Sequence, residues 1–338
     1  MRYLFELSKD HKTLPTAEVL SCLNAEENSY TIVCSNEDVL VVDVEDNGYE
    51  KVKVIADRLA SSFYINGFLF SCPALVNVVK KFALEHSIEK KGSIAVKHRN
   101  RSTKIDSQSI IKVLADIYTE GKKVDLEKPD VEVRVVITDS NVYVGLKLFK
   151  INRSQYEKRK VQFRPFFSPI SLHPKLARIL VNLSCIKKHD TLLDPFCGTG
   201  GILLEAGLIG AKVIGSDIEE KMIEGCKKTL DHYNIKNYEL FCCDIGDIAK
   251  HVKNVDAVVT DLPYGKSTTT HGETPCSLYP RAFENICKVL KRNGRAVVGL
   301  SDESSITTGS KYLTLLEKHE IRVHRSLTRF FAVYKKQP

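Results

Sequence analysis

The sequence has no long apolar run, no C-x-x-C pair among its ten cysteines, no internal repeat and no low-complexity tract. The first absence excludes a helix able to span a bilayer. Together with a hydrophobic fraction of 43% and a mean hydropathy of -0.16, it describes a soluble globular chain. The second excludes the clustered ligands of a tetrahedral metal site, and cysteines so scattered do not make a disulfide framework. The thiols are read as reduced and mostly buried, Cys242 and Cys243 included, because neighbours on a strand point to opposite faces. The opening stretch, "MRYLFELSKDHKTLPTAEV", alternates apolar and polar residues and soon carries acids, unlike a secretory signal, so a cytoplasmic location is expected. What the chain does have is a moderate positive balance, +8 with an isoelectric point near 8.8. That permits a polyanionic partner without requiring one.

A length of 338 residues implies two or three compact units. Residues 165–338 alternate strand and helix signals: "TLLDPF", "KVIGSDI", "YELFCCDI", "VDAVVTDLP" and "GRAVVGLS" as strands, with helices at "GILLEAGLIG", "EEKMIEGCKKTLDHYN", "DIAKHV" and "YPRAFENICKVLK" between them. A last helix is expected at "KYLTLLEKH", before the closing strands "IRVHRSL" and "RFFAVYK". The fold class is therefore α/β, a doubly wound, mostly parallel seven-stranded sheet whose final strand, too close to its predecessor for a crossover, runs antiparallel. Residues 1–65 read as a small α+β unit and 66–150 as a second one ending in the hairpin "VEVRVVITDSNVYVGLKL". Residues 151–164 lack periodicity and apolar content and are read as a linker.

The chemistry gathers at strand ends. "DPFCGTGG", residues 194–201, joins a buried strand to a helix, and Gly198, Gly200 and Gly201 permit turns and close approaches that a Cβ would block. Asp194, Asp217 and Asp244 end the first three strands, with Phe196, Thr199, Ile218 and Ile245 beside them, on the edge where open α/β sheets bind ligands. An acid after the second strand suits ribose hydroxyls, and one after the third suits an adenine amine. A nicotinamide dinucleotide would use the same edge, but the loop departs from G-x-G-x-x-G and Asp194 would repel a pyrophosphate. Asp194 suits the ammonium of a methionine moiety, so S-adenosylmethionine is the expected cofactor.

"DLPYG", residues 261–265, ends the fourth strand, beside the first, where the sheet order reverses. Asp261 and the carbonyl of Leu262 can accept hydrogen bonds from a planar exocyclic amine, Pro263 stiffens the turn, and Tyr264 can stack on the base for about 1–3 kcal/mol. The bland alternative is a capping Asp, a Pro-Gly turn and a core tyrosine.

With "RPFFSPISLHPKLAR" (residues 164–178) and "DPFCGTGGILLEA", this stretch resembles the archaeal THUMP-domain tRNA guanosine N2-methyltransferases acting on position 10. The likeness covers the catalytic half closely and the N-terminal half more loosely. It implies a class I, Rossmann-like methyltransferase domain preceded by ferredoxin-like (1–65) and THUMP (66–150) domains. Leu262, where related amine methyltransferases carry proline, belongs to this branch. The reaction implied is direct transfer to guanine N2 without a metal, with the base flipped out of the tRNA. The resemblance also implies tRNA as partner, a monomer, no membrane, and an optional small activator protein, since eukaryotic relatives need one.

Basic residues lie outside this edge: Lys97, Arg99, Arg101 and Lys104 in "KHRNRSTK", then Lys147, Lys150, Arg153, Lys158, Arg159, Lys160 and Arg164. Beside a base-modifying pocket they read as phosphate contacts. His173 before Pro174 reads as a helix cap. His324, Arg325 and Arg329 receive no role. Two rival functions remain, an N6-adenine DNA methyltransferase and a non-catalytic tRNA-binding subunit.

Overall fold

The computed structural model describes residues 1–45, 48–168, 171–263, 273–324 and 327–337; Tyr264 and Arg325 lie outside them. The chain forms two units, one of Met1–Thr16, Glu27–Asp57 and Ser61–Asn152, the other of Ala17–Glu26, Arg58–Ala60 and Arg153–Pro338.

The elements up to residue 150 are β1 (Arg2–Leu7), α1 (Leu14–Ala25), β2 (Tyr30–Ser35), β3 (Val39–Val44), α2 (Gly48–Arg58), β4 (Ser62–Pro73), α3 (Val76–Glu85), β5 (Ile94–Asn100), α4 (Ser107–Thr119), β6 (Val131–Ile137) and β7 (Asn141–Lys150). One seven-stranded sheet runs through the first unit in the order β2-β3-β1-β4-β7-β6-β5. The twelve-residue β4 pairs with β1 on one side and β7 on the other, so it carries the sheet across position 65. Neither α2 nor β4 was expected, because "SSFYINGFLFSCP" mixes glycine and serine into its apolar residues and so breaks the alternation that marks a strand. Every residue of β6 is buried, Glu132 and Arg134 included, and Arg134 makes a bidentate pair with Glu6 at 2.9 Å to each oxygen.

The second unit continues with α5 (Ser154–Glu157), a 3-10 turn at Val161–Phe163, α6 (Pro174–Leu183), β8 (Thr191–Asp194), α7 (Gly201–Gly207), β9 (Lys212–Asp217), α8 (Glu220–His232), β10 (Tyr238–Cys242), α9 (Ile248–His251), β11 (Val255–Asp261), α10 (Pro275–Val289), β12 (Leu290–Leu300), α11 (Ser304–Ser310), β13 (Thr314–His324) and β14 (Leu327–Lys335). Its sheet has the order β10-β9-β8-β11-β12-β14-β13, parallel from β10 through β12, with β14 antiparallel to both its neighbours. This is the expected Rossmann-like arrangement. β8 lies between β9 and β11, so the chain order reverses there and the strand ends open a crevice.

Two expectations in this unit fail. "KYLTLLEKH" is not a helix: β13 starts at Thr314 and pairs with β14 from Thr314–Lys335 to His324–Leu327, so a hairpin partner overrides the helix propensity of Leu, Glu and Lys. The helix comes earlier, where Asp302 accepts from the Ser305 amide at 2.9 Å. Residues 151–164 are no solvated linker either. Tyr156 is buried and its hydroxyl donates to the Leu59 carbonyl at 3.1 Å, while Arg159 and Arg164 are buried as well. The polar composition hid this, because Tyr156 and Arg159 are buried through hydrogen bonds, to the Leu59 carbonyl and to Glu205, rather than as apolar surface.

Candidate active site

The ends of β8, β9, β10 and β11 converge on one cavity of about 270 Å³. Of the sequence-predicted residues, Asp194, Phe196, Gly198, Thr199, Gly201, Asp217, Ile218, Asp244, Ile245, Asp261, Leu262 and Pro263 line it. Gly200 does not; at φ +79 it makes the turn into α7. A Cβ there would stand 2.6 Å from Cys226 Sγ, so the loop is pressed against α8 as well as bent.

Each acid is held by its surroundings. Asp194 is 1% exposed and accepts from Thr260 Oγ1 at 2.7 Å and the Phe196 amide at 3.2 Å. Burial pushes its carboxyl up to about 7, with the charge of Asp217 adding to the shift and the two hydrogen bonds opposing it. Asp217 accepts from the Gly198 amide at 2.9 Å and the Glu219 amide at 3.0 Å, which ties the glycine loop to the end of β9; burial raises its carboxyl too. For Asp244, burial works upward but is outweighed by the Arg281 guanidinium and the Gly246 amide at 2.7 Å, so it lies below the usual carboxylate range. Arg281 also grips Glu273, and those two carboxylates raise its own affinity for the proton. Asp261 is paired through Oδ1 with Arg329, which reaches it from β14. Burial pulls Arg329 down to about 10, still a cation at neutral pH.

The described charged residues lining the cavity are Asp194, Asp217, Glu219, Asp244, Asp261 and Glu273, all acidic. Ile218, Met222, Phe196, Ile245 and Leu278 supply apolar surface for a flat ring. A buried carboxyl held near neutrality by its own desolvation gains from a cation, so the lining suits a positively charged nucleoside. The segment after Arg164 closes one side. Phe166 packs on Gly225 of α8, where no Cβ would fit, and Ser171 Oγ stands 2.9 Å from Thr199 Oγ1. Leu262 is fully buried, and its amide donates to the Gly299 carbonyl at 3.1 Å.

Sequence reasoning missed Ser171, Glu219, Met222, Glu273, Arg281 and Arg329. Only Glu219 had a local signal, standing two residues after a strand-end acid. Arg281 and Arg329 carry none, since each meets its carboxylate across a sequence gap that only the fold closes.

The basic residues divide. Lys97 lies 3.3 Å from Glu132; Arg99 stacks 3.7 Å over the Phe63 ring and stands 3.6 Å from Glu6. Arg101 donates to the Leu7 carbonyl at 2.9 Å and lies 3.4 Å from Asp38, and Lys104 is exposed, 3.6 Å from Asp139. Arg159 is a correction: 9% exposed and bidentate to Glu205 at 2.8 and 3.0 Å, it holds the second unit together instead of facing a phosphate. Lys160 pairs with Glu157, Arg153 is half-buried and Lys158 is exposed. His173 caps α6, accepting from the Lys175 amide at 3.2 Å.

A Rossmann-like sheet with four acids at its reversal crevice defines a class I methyltransferase domain. The RMKL-like methyltransferase domain family matches residues 161–330, and the THUMP domain family matches residues 71–147. The tRNA (guanine(10)-N2)-dimethyltransferase of Methanothermobacter thermautotrophicus is 35% identical over 99% of this chain and 100% of its own length. The enzyme of the same name from Methanocaldococcus jannaschii is 38% identical over 71% of this chain and 68% of its own. The chain belongs to this THUMP-containing branch of the RMKL-like methyltransferases. Among solved structures, TrmN from Thermus thermophilus shares the fold over 99% of this chain and 100% of its own, with a TM-score of 0.58 at 18% identity. SMU.472, complexed with SAH, covers 100% of this chain and 98% of its own, with a TM-score of 0.54 at 13% identity.

Proposed function

We propose that the chain methylates the exocyclic N2 of the guanine at position 10 of tRNA, using S-adenosylmethionine, and that two transfers give N2,N2-dimethylguanosine. The observation that carries this is the cavity at the strand ends, whose described charged residues are all acidic, with Asp261 and Leu262 on its fourth side as acceptors for an amine. The cofactor, when bound, supplies an electrophilic methyl group. Asp194 would hold its ammonium, Asp217 its ribose hydroxyls, and Asp244 with the amide behind Ile245 its adenine. Asp261 and the Leu262 carbonyl would turn the guanine amine toward the methyl group. The amine lone pair is delocalised into the ring, so the chain's contribution is chiefly orientation. A THUMP unit within residues 66–150 and the exposed lysines Lys104 and Lys158 would hold the tRNA. No described helix is long and apolar enough to cross a membrane.

The test is incubation of purified protein with methyl-labelled S-adenosylmethionine and unmodified tRNA, followed by nucleoside digestion and mass spectrometry. Labelled N2-methyl and N2,N2-dimethylguanosine mapping to position 10 is the expected result. Label in DNA adenine, or binding without label, would replace this reading with one of its two rivals.

A further inference from the structure

Arg329 has no part in the reading above, yet it is the one described cation that touches the acid facing the amine. It stands on β14, two residues from Phe331 on the same strand, with its guanidinium 5.2 Å from the Phe331 ring centroid, and it is 6% exposed. Its Nη2 meets Asp261 Oδ1. Space for this pair comes from Gly299 on the intervening strand β12: a Cβ there would lie 2.3 Å from Asp261 Oδ1 and 3.0 Å from Phe331. Three strands thus cooperate to fix one carboxylate, and the ion pair offsets the cost of taking the guanidinium out of water.

The other groups around Asp261 push the opposite way. Asp194 on β8 is linked to β11 through Thr260, and Glu273 lines the same cavity ahead of α10. Tyr279 on α10 reaches the Pro263 carbonyl at 3.4 Å and Ser301 at 3.3 Å, with Asp302 2.8 Å beyond Ser301, while β12 offers only Gly299 and Leu300. Glu273 is already paired with Arg281, and among the described residues Arg329 is the cation in direct contact with Asp261.

We propose that Arg329 is a positioning residue for methyl transfer: by occupying Oδ1 it keeps Asp261 ionised and leaves Oδ2 to accept an N–H of the guanine amine, so Asp261 orients the nucleophile and is not the base that removes its proton. The inference rests on the proposed reaction. In that reaction the amine nitrogen forms the N–C bond as the C–S bond breaks, the bonding pair goes to sulfur, and the positive charge passes to nitrogen. The proton leaves only after the N–C bond has formed, when the alkylated nitrogen is cationic and acidic enough to give it up to solvent without a dedicated base, so the carboxylate's part before that point is to orient the amine.

The experiment compares wild type, R329Q, R329K and G299A in single-turnover transfer to tRNA between about pH 5 and pH 8, with SAH and tRNA affinities measured for each. The expected wild-type rate is flat across that range. R329Q should lose roughly 10- to 100-fold in rate, keep both affinities within about twofold, and show a rate that rises with pH as the now unopposed Asp261 ionises. R329K should restore the flat profile, and G299A should slow transfer with no change of charge. A wild-type rate and profile in R329Q would overturn the proposal. So would equal losses in R329Q and R329K with unchanged profiles, which is the mark of a merely structural role, or a wild-type rate that climbs with pH. Should wild type make no N2-methylguanosine, the reaction itself is wrong, and that is seen before any variant is compared.

Discussion

Asp194 shows what burial does to a binding acid. Its carboxyl is raised from 3.8 to about 7, so in the ligand-free protein the neutral form is favoured below about pH 7, and ionising it costs stability as pH rises through that window. A cationic ligand reverses the preference, so binding expels a proton and affinity for S-adenosylmethionine should fall as pH drops below about 7. Calorimetry in buffers of different ionisation heat checks both the slope and the released proton. D194N should weaken binding and flatten the dependence. Arg159 makes the complementary case: R159A would remove one of the cations on buried Glu205 and is expected to cost roughly 3–5 kcal/mol, read from denaturant midpoints, with no change in the salt dependence of tRNA binding. A change in that salt slope would return Arg159 to the phosphate contacts.

At the scale of elements, the loop between β8 and α7 decides whether the cavity exists. Its backbone takes a positive φ at Gly198 and Gly200, and Asp217 holds the Gly198 amide from the next strand. G200A must strain the turn and displace Cys226, and is expected to cost about 1–3 kcal/mol while weakening SAH binding more than tRNA binding. Equal SAH affinity in that variant would show that the loop tolerates a different path. The parallel strands of this unit were legible because β8, β9, β11 and the "AVVGL" end of β12 carry short apolar runs, each followed by a turn. β13 was not. "TLLEKH" has helix-forming residues, and only its long antiparallel pairing with β14 makes it a strand.

Across the whole molecule, the charge of +8 does not form one basic face in the residues that sequence reasoning grouped. Lys97, Arg99 and Arg101 are each engaged with an acid of the first unit, and Arg159 with one of the second. The exposed members, Lys104, Lys150 and Lys158, are the better candidates for phosphate contact. K104E and K158E should each weaken tRNA binding and lower the salt slope by about 1, measured by filter binding from low to moderate salt. An unchanged slope in both would place the RNA surface elsewhere.

The run of parallel strands from β8 to β12 and the four acids at strand ends were determined by sequence alone, since apolar runs mark those strands and an acid after each falls on a known edge. The tertiary structure alone decided what stands behind those acids. Arg281 on Asp244, Arg329 on Asp261 and Arg159 on Glu205 are partners separated by 37, 68 and 46 positions. An ion pair leaves no periodic trace in the chain, because its energy depends on distance and burial in space, and both are set only when the sheet has formed.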